Sequence, residues 1–169
     1  MSLYLDSTPG SVSANSYVSL EEAGDYFDAR LYSDAWIDAT SGVQQQSLIM
    51  ATRQLDESYS WNGSKTSTDQ SLDWPRSGVY DCEGQLITST IIPSDIKNAT
   101  YEQALYLLSC DSTATLDILV QGVKKAKLDV LAVEADRTLV PNKISDNVVL
   151  CMSYGIKRGS NSGILYRGM

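Results

Sequence analysis

A chain of 169 residues, 43% of them hydrophobic, is long enough to bury a core without disulfides or a metal, and a single domain is expected. It contains no histidine, which removes the commonest general base and the commonest metal ligand together, so the composition argues against an enzyme and calls for no cofactor. The net charge of -8 is uneven: residues 1–60 carry nine acids and two bases, residues 61–169 twelve and eleven, and no acid follows Asp146.

Residues 1–16 are small and polar, are broken by Pro9-Gly10, and read as an extended or mobile N-terminal arm with an apolar tip at Leu3, Tyr4 and Leu5. Ser19 followed by Glu22 has capping-box spacing, and Leu20, Ala23, Phe27 and Leu31 recur at helical intervals, which predicts a helix over 20–31. Its other face is acidic, with Glu21, Glu22, Asp25 and Asp28. A short helical turn is expected at 34–38. Ser41 and Gln44 repeat the capping-box pattern ahead of a longer helix over 43–59, with Leu48, Ala51, Leu55 and Tyr59 facing inward. The turn dipeptides of Trp61-Asn62-Gly63-Ser64 end it, and a polar loop runs to Ser71.

Residues 72–81 (LDWPRSGVYD) read as a rigid corner. Trp74 and Tyr80 supply large buriable rings, Pro75 fixes its own φ and restricts Trp74, and Gly78 permits a turn closed to other residues. Arg76, between the two rings, is suited to stack on an aromatic face or to fork onto a carboxylate. A turn at 81–84 leads into an apolar strand over 85–92, which Pro93 closes. Ser94 is placed to cap a third helix. There Tyr101, Ala104, Leu105 and Leu108 mark one apolar face, while Tyr106 and Leu107 mark a second. A helix apolar on two faces contacts either two layers of its own domain or its own core and a neighbouring subunit.

Residues 111–122 suggest a loop, and 124–134 alternate as a strand or hairpin arm. Ser145 caps a short last helix, with Ile144 and Val149 spaced as a hydrophobic staple and Gly155 in the stopping position. The remaining tail sets a flexible Gly-Ser-Asn-Ser-Gly centre between Ile156-Lys157-Arg158 and Ile164-Leu165-Tyr166-Arg167, a linker with an anchor. Alone it cannot bury Ile164, Leu165 and Tyr166, so either the tail folds back or another chain supplies the pocket. The expected architecture is mainly α: an arm over 1–16, a body over 17–155 with about four helices and a short β-hairpin element, and a tail over 156–169.

Candidate chemistry is sparse. Ser94 and Lys97 have the Ser-x-x-Lys spacing of an acyltransferase nucleophile without its companion motifs, and a helix cap explains them. The pairs Glu21/Asp25 and Glu22/Asp28 could face a divalent ion, but acids on an exposed helix face are ordinarily solvated surface. Cys82, Cys110 and Cys151 have an odd count and no CxxC spacing, as expected of reduced thiols in a cytosolic setting. No window approaches the roughly 18 apolar residues of a membrane span, so a soluble chain is expected. Lys124, Lys125 and Lys127 form the one basic cluster before the tail, and Trp36, Trp61 and Trp74 could stack bases if exposed. An acidic domain repels phosphate, so affinity for DNA should be weak, whereas the same surface suits a wall past which DNA slides.

The runs at 15–23 with Tyr26-Phe27, at 51–56 (ATRQLD) and at 72–81, followed by Ile92-Pro93 opening a helix, resemble a family of tailed-bacteriophage proteins. These are head-to-tail adaptors, or head completion proteins, and some members carry the label DnaT-like single-stranded DNA-binding protein. The resemblance covers about residues 15–110, and Trp-Pro-Arg-x-Gly-Val-Tyr-Asp is its most specific part. It implies a small, mainly helical domain, made in the host cytoplasm and incorporated in the virion neck. There it would form a ring, dodecameric in such adaptors, beneath the portal protein, with a further neck or tail protein below and DNA passing without specific binding. The C-terminal segment of such adaptors grips the portal, a role that Ile156, Lys157, Arg158, Ile164, Leu165, Tyr166 and Arg167 would fill. The acidic face and Tyr106 and Leu107 would then lie on the channel or between subunits.

Overall fold

The computed structural model describes residues 4–81, 83–109, 125–128, 131–134, 144–151 and 154–157. Among these the domain is mainly helical, as expected, with three substantial helices, two short ones and three small antiparallel strand pairs. Helix α1 spans Leu20–Asp28, α2 Asp34–Ile37, α3 Ser41–Ser58, α4 Ser94–Ser109 and α5 Asp146–Cys151. Strand β1 is Tyr59–Trp61, β2 Ser64–Lys65, β3 Arg76–Ser77, β4 Lys125–Leu128, β5 Leu131–Glu134 and β6 Gly155–Lys157. The pairs are β1 with β6, β2 with β3, and β4 with β5, so that of the strand or hairpin arm expected over 124–134 the hairpin forms.

Helix α4 is central and packs chiefly on α3 and α5, with α2 alongside. Helix α4 thus contacts more than one layer of its own domain, and Tyr106 and Leu107 lie half-buried. Leu48, Ala51 and Leu55 of α3 and Ile96, Ala99 and Ala104 of α4 are fully buried. Each such leucine or isoleucine contributes about 1.5–3 kcal/mol. Polar groups inside this seam are satisfied: Gln103 Nε2 donates to Gln54 Oε1 at 2.7 Å, and Ser145 N donates to Gln103 Oε1 at 2.9 Å. Two aromatic clusters flank the helices. Phe27 stacks on Trp36 and Tyr26 on Tyr101, each with ring centroids 4.5 Å apart. Trp74 meets Trp61 and Tyr154 edge-on at 6.0 and 5.9 Å.

Several local expectations are corrected. The segment before Tyr17 is a tied loop: Asn15 N and Ser16 N both donate to Asp6 O, and Asp6 carboxylate oxygens accept from Thr8 N and from the Ser11 and Ser13 hydroxyls. Those bonds hold the Asp6 carboxyl at about 2, below its usual range, with Ser13 contributing most. Helix α1 stops at Asp28, three residues short of Leu31, which is 78% exposed. The cap of α3 is Thr40 without a side-chain bond, and Gln44 Nε2 donates to Trp36 O at 2.9 Å instead of completing a capping box. No strand forms over 85–92 beyond a single bridge from Tyr80 to Leu86. Helix α4 begins at Ser94 itself, where Pro93 O accepts from Ile96 N, so Ser94 lies inside the helix instead of capping it.

Gly155 does not end α5 but opens β6, where Tyr59 pairs with Lys157 and Trp61 with Gly155. A β-carbon at Gly155 would stand 2.8 Å from the Trp61 ring, so the ring packs where a larger residue's side chain would be. The backbone of Ile156 and Lys157 is thus part of the body. Arg158, Ile164, Leu165, Tyr166 and Arg167 lie outside the described residues, as do Cys82, Cys110 and the loop expected over 111–122.

Candidate functional site

The corner is rigid for reasons the sequence shows only in part. Trp74 is 1% exposed, the Trp74-Pro75 peptide is cis, and Gly78 adopts a φ of 73° that other residues rarely take. The indole Nε1 of Trp74 and the hydroxyl of Tyr59 are buried without a hydrogen-bond partner among the described residues, which costs stability that ring packing must offset. Tyr80 is a correction: it is 61% exposed, while Val79 is buried at 1%. Successive side chains in extended backbone point to opposite faces, so Val79 and Tyr80 cannot both enter the core. Arg76 is a second correction. Its guanidinium reaches neither a ring nor a carboxylate. It donates instead to Asn62 O at 2.6 Å, Gly63 O at 2.7 Å, Asp73 O at 3.2 Å and Trp61 O at 3.4 Å. It thereby clamps the turn after β1 onto the corner. Gly63 is fixed there by a φ of 69° and by Ser77 O, 2.3 Å from where a β-carbon would sit.

Behind the corner lies a half-buried carboxylate. Asp56, near the end of α3, accepts from Tyr17 OH, from Trp61 Nε1 at 3.1 Å and from Asp73 N at 3.3 Å. Burial raises its pKa to about 6, the Tyr17 hydrogen bond opposes that shift, and nearby Asp73 adds to it. The Tyr17 hydroxyl is pushed well above its ordinary value by the same burial and by Asp56. Beside this group is an open groove of about 510 Å³, lined by Ala14, Ile49 and Leu72 and by the charged side chains of Arg53, Asp56, Glu57 and Asp73.

A second hub ties α1 to α4. Glu102, 8% exposed, receives Arg30 Nε at 2.6 Å and Nη2 at 2.9 Å in a forked pair, together with Tyr26 OH at 2.7 Å and Asn147 Nδ2 at 3.1 Å. Burial pushes the Glu102 pKa up, but these donors outweigh it and leave the carboxyl below its usual range. Arg30 Nη1 also donates to Leu31 O and Tyr32 O, so the hub holds a tip in which Tyr32 takes a φ of 60° and is 88% exposed.

The acidic face expected on α1 is partly committed. Glu21, Asp25 and Asp28 are exposed. Glu22 is not available, because its carboxylate closes the Ser19 capping box, accepting from Ser19 N at 2.9 Å, and pairs with Lys97. Burial raises its pKa, yet those contacts hold it below the ordinary value. Lys97 is thereby an ion-pair partner, and no group of three or more candidate metal ligands assembles among the described residues. Residues 1–109 hold fifteen acids and five bases, and every one of those bases is engaged. Arg30 pairs with Glu102, Arg53 with Glu57, Lys65 with Asp73 and Lys97 with Glu22, while Arg76 holds carbonyls. Trp36, Trp61 and Trp74 are all buried, so none offers a base-stacking face. Among the described residues no helix is long and apolar enough to cross a membrane.

The hubs at Asp56 and Glu102 were not anticipated from the sequence. Their only local signal is an acid set among apolar helix positions, Asp56 beside Leu55 and Glu102 beside Tyr101. No curated protein and no solved structure matches the chain. A family model does match, over residues 1–149, and by that match the chain belongs to the family described as "Putative DnaT-like ssDNA binding protein".

Proposed function

We propose that this protein is a structural head-to-tail adaptor, assembling with copies of itself as a ring, dodecameric as in the adaptors it resembles, beneath a portal protein. In that role it joins capsid to tail, lines part of the DNA channel and meets a further neck or tail protein below. The observation that carries the reading is electrostatic. Over residues 1–109 acids outnumber bases by ten, and all five bases are engaged within the fold, which leaves a surface that repels phosphate and does not retain it. Glu21, Asp25 and Asp28 on α1 supply an exposed acidic wall, and the residues after Lys157 supply the anchor for the portal.

The family description speaks more directly for a second reading, single-stranded DNA binding. That activity would rest on Lys124, Lys125 and Lys127 and on the basic tail, since residues 1–109 offer neither an uncommitted cation nor an exposed tryptophan. Fluorescence anisotropy of the full chain with a labelled oligonucleotide at physiological salt separates the two. The adaptor reading expects a dissociation constant weaker than roughly 1 µM, together with rings on the portal in electron micrographs. Tighter binding that falls steeply with salt, and that is lost on replacing the three lysines by alanine, would establish the DNA-binding reading instead.

A further inference from the structure

The groove beside Asp56 and the point where the described chain ends lie together. Strand β6 runs antiparallel to β1, with Lys157 opposite Tyr59, so the chain leaves the sheet beside the end of α3, where Asp56 and Glu57 stand three and two residues before Tyr59. Ala14, Ile49 and Leu72 line the groove with apolar surface, and Asp56, Glu57 and Asp73 line it with acids, against the one base Arg53. Twelve residues follow Lys157 and contain no acid, and they include Ile164-Leu165-Tyr166-Arg167, three large apolar or aromatic residues next to a cation. Ile164 stands seven positions beyond Lys157, a reach of about 25 Å when extended. That length is ample for a groove that borders the exit point.

We propose that the groove formed by Ile49, Leu72, Ala14, Glu57 and Asp73 is the docking site for the Ile164–Arg167 segment of the same chain. The apolar side chains cover the apolar lining, and Arg167 meets the acids. The occupant is assigned by three features: the chain leaves β6 opposite Tyr59, just past the α3 residues that line the groove, its length suffices, and its charge is opposite to the net charge of the lining, where three acids face the single base Arg53. The site requires neither the ring nor DNA binding. If the adaptor reading holds as well, a portal must displace the segment from its groove in order to be gripped by it, so the groove delays anchoring until the portal is present.

Hydrogen exchange on the full chain tests this through the amides of residues 53–58 and 71–73. Leu165→Asp and Arg167→Glu should each speed exchange there severalfold and leave α4 unchanged. Glu57→Lys should do the same, since Glu57 is 49% exposed and its ion pair with Arg53 spans 3.6 Å, so its loss leaves the core intact. Combining Glu57→Lys with Arg167→Glu should restore slow exchange. Identical exchange in all variants overturns the proposal, as does acceleration throughout the body, which would make the tail part of the core. Protection that disappears on dilution also overturns it, by assigning the occupant to a second copy. None of these outcomes depends on a portal or on DNA, so failure here is distinct from failure of the adaptor reading.

Discussion

The corner at residues 72–79 and the tip at residues 29–33 use the same device to opposite ends. Each is a non-helical connection in which an arginine is locked onto main-chain carbonyls, Arg76 onto those of residues 61, 62, 63 and 73, and Arg30 onto those of residues 31 and 32. In the corner the immobilised backbone drives Trp74 into the core. In the tip it holds Leu31 and Tyr32 out in solvent, with Tyr32 in the left-handed region at a cost on the order of 1 kcal/mol or more. Rigidity in a connection therefore does not reveal whether its aromatic residue serves the fold. What decides is where the arginine is anchored: Arg76 grips the turn that covers the core, and Arg30 grips Glu102 at the edge of α4.

The largest expected difference is Trp74→Ala, which should destabilise the chain by about 3–5 kcal/mol in denaturant unfolding, since it removes a fully buried ring that touches Trp61 and Tyr154. A loss below 1 kcal/mol would mean that the corner is not core.

The next is a pH effect on the corner alone. Asp56 has its folded pKa raised to about 6 from 3.8, so the folded state binds its proton more tightly than the unfolded chain does. Its contribution is fully present below about pH 4 and is lost as pH rises through about 6, a change on the order of 2–3 kcal/mol. Unfolding free energies of the wild type, less those of Asp56→Asn, should fall across that window. A flat difference would show that the carboxylate is not desolvated. Glu22 and Glu102 have lowered values and act in the opposite sense, their stabilisation being lost as pH falls through and below the ordinary glutamate range.

In the tip, Glu102→Ala leaves Arg30 and Tyr26 without their acceptor. Glu102 and Arg30 side chains are 10% and 23% exposed, so the cost is set at about 2 kcal/mol, below that of a fully buried pair. Thermal unfolding measures it, and an unchanged melting temperature would remove the hub from the account. The smallest effect is Tyr32→Gly, which relieves the positive φ and should move stability by less than about 1 kcal/mol in either direction. A larger loss would show that the Tyr32 ring contributes to the fold despite its exposure.

What was legible in the sequence is what local physics determines. Ser19 and Glu22 form both halves of the capping box, α3 buries Leu48, Ala51 and Leu55 as their spacing requires, and Trp74 is core. What was not legible depends on partners far along the chain. Leu31 continues a helical pattern that the Arg30–Glu102 pair, 72 residues apart, interrupts by fixing the tip. Tyr80 gave way to Val79 because one residue of an alternating pair must face out. The carbonyls that hold Arg76 belong mostly to a turn 13 to 15 residues earlier, and main-chain acceptors have no signature in side-chain sequence. The groove beside Asp56 is assembled from residues near 14, 49–57 and 71–73, segments that no local pattern brings together.

The pairing of β1 with β6 has a consequence for synthesis. Trp61 is sealed by Gly155, yet 94 residues must be made between the two. At roughly 5–20 residues per second the nascent chain carries an uncovered strand edge and an open tryptophan cluster for about 5–20 s. During that interval α1, α3 and α4 can already pack, so the ribosome-bound protein is a helical body with one unprotected seam. A chaperone that recognises exposed strand edges would find its target there, at residues 59–61, and would lose it once Lys157 is in place.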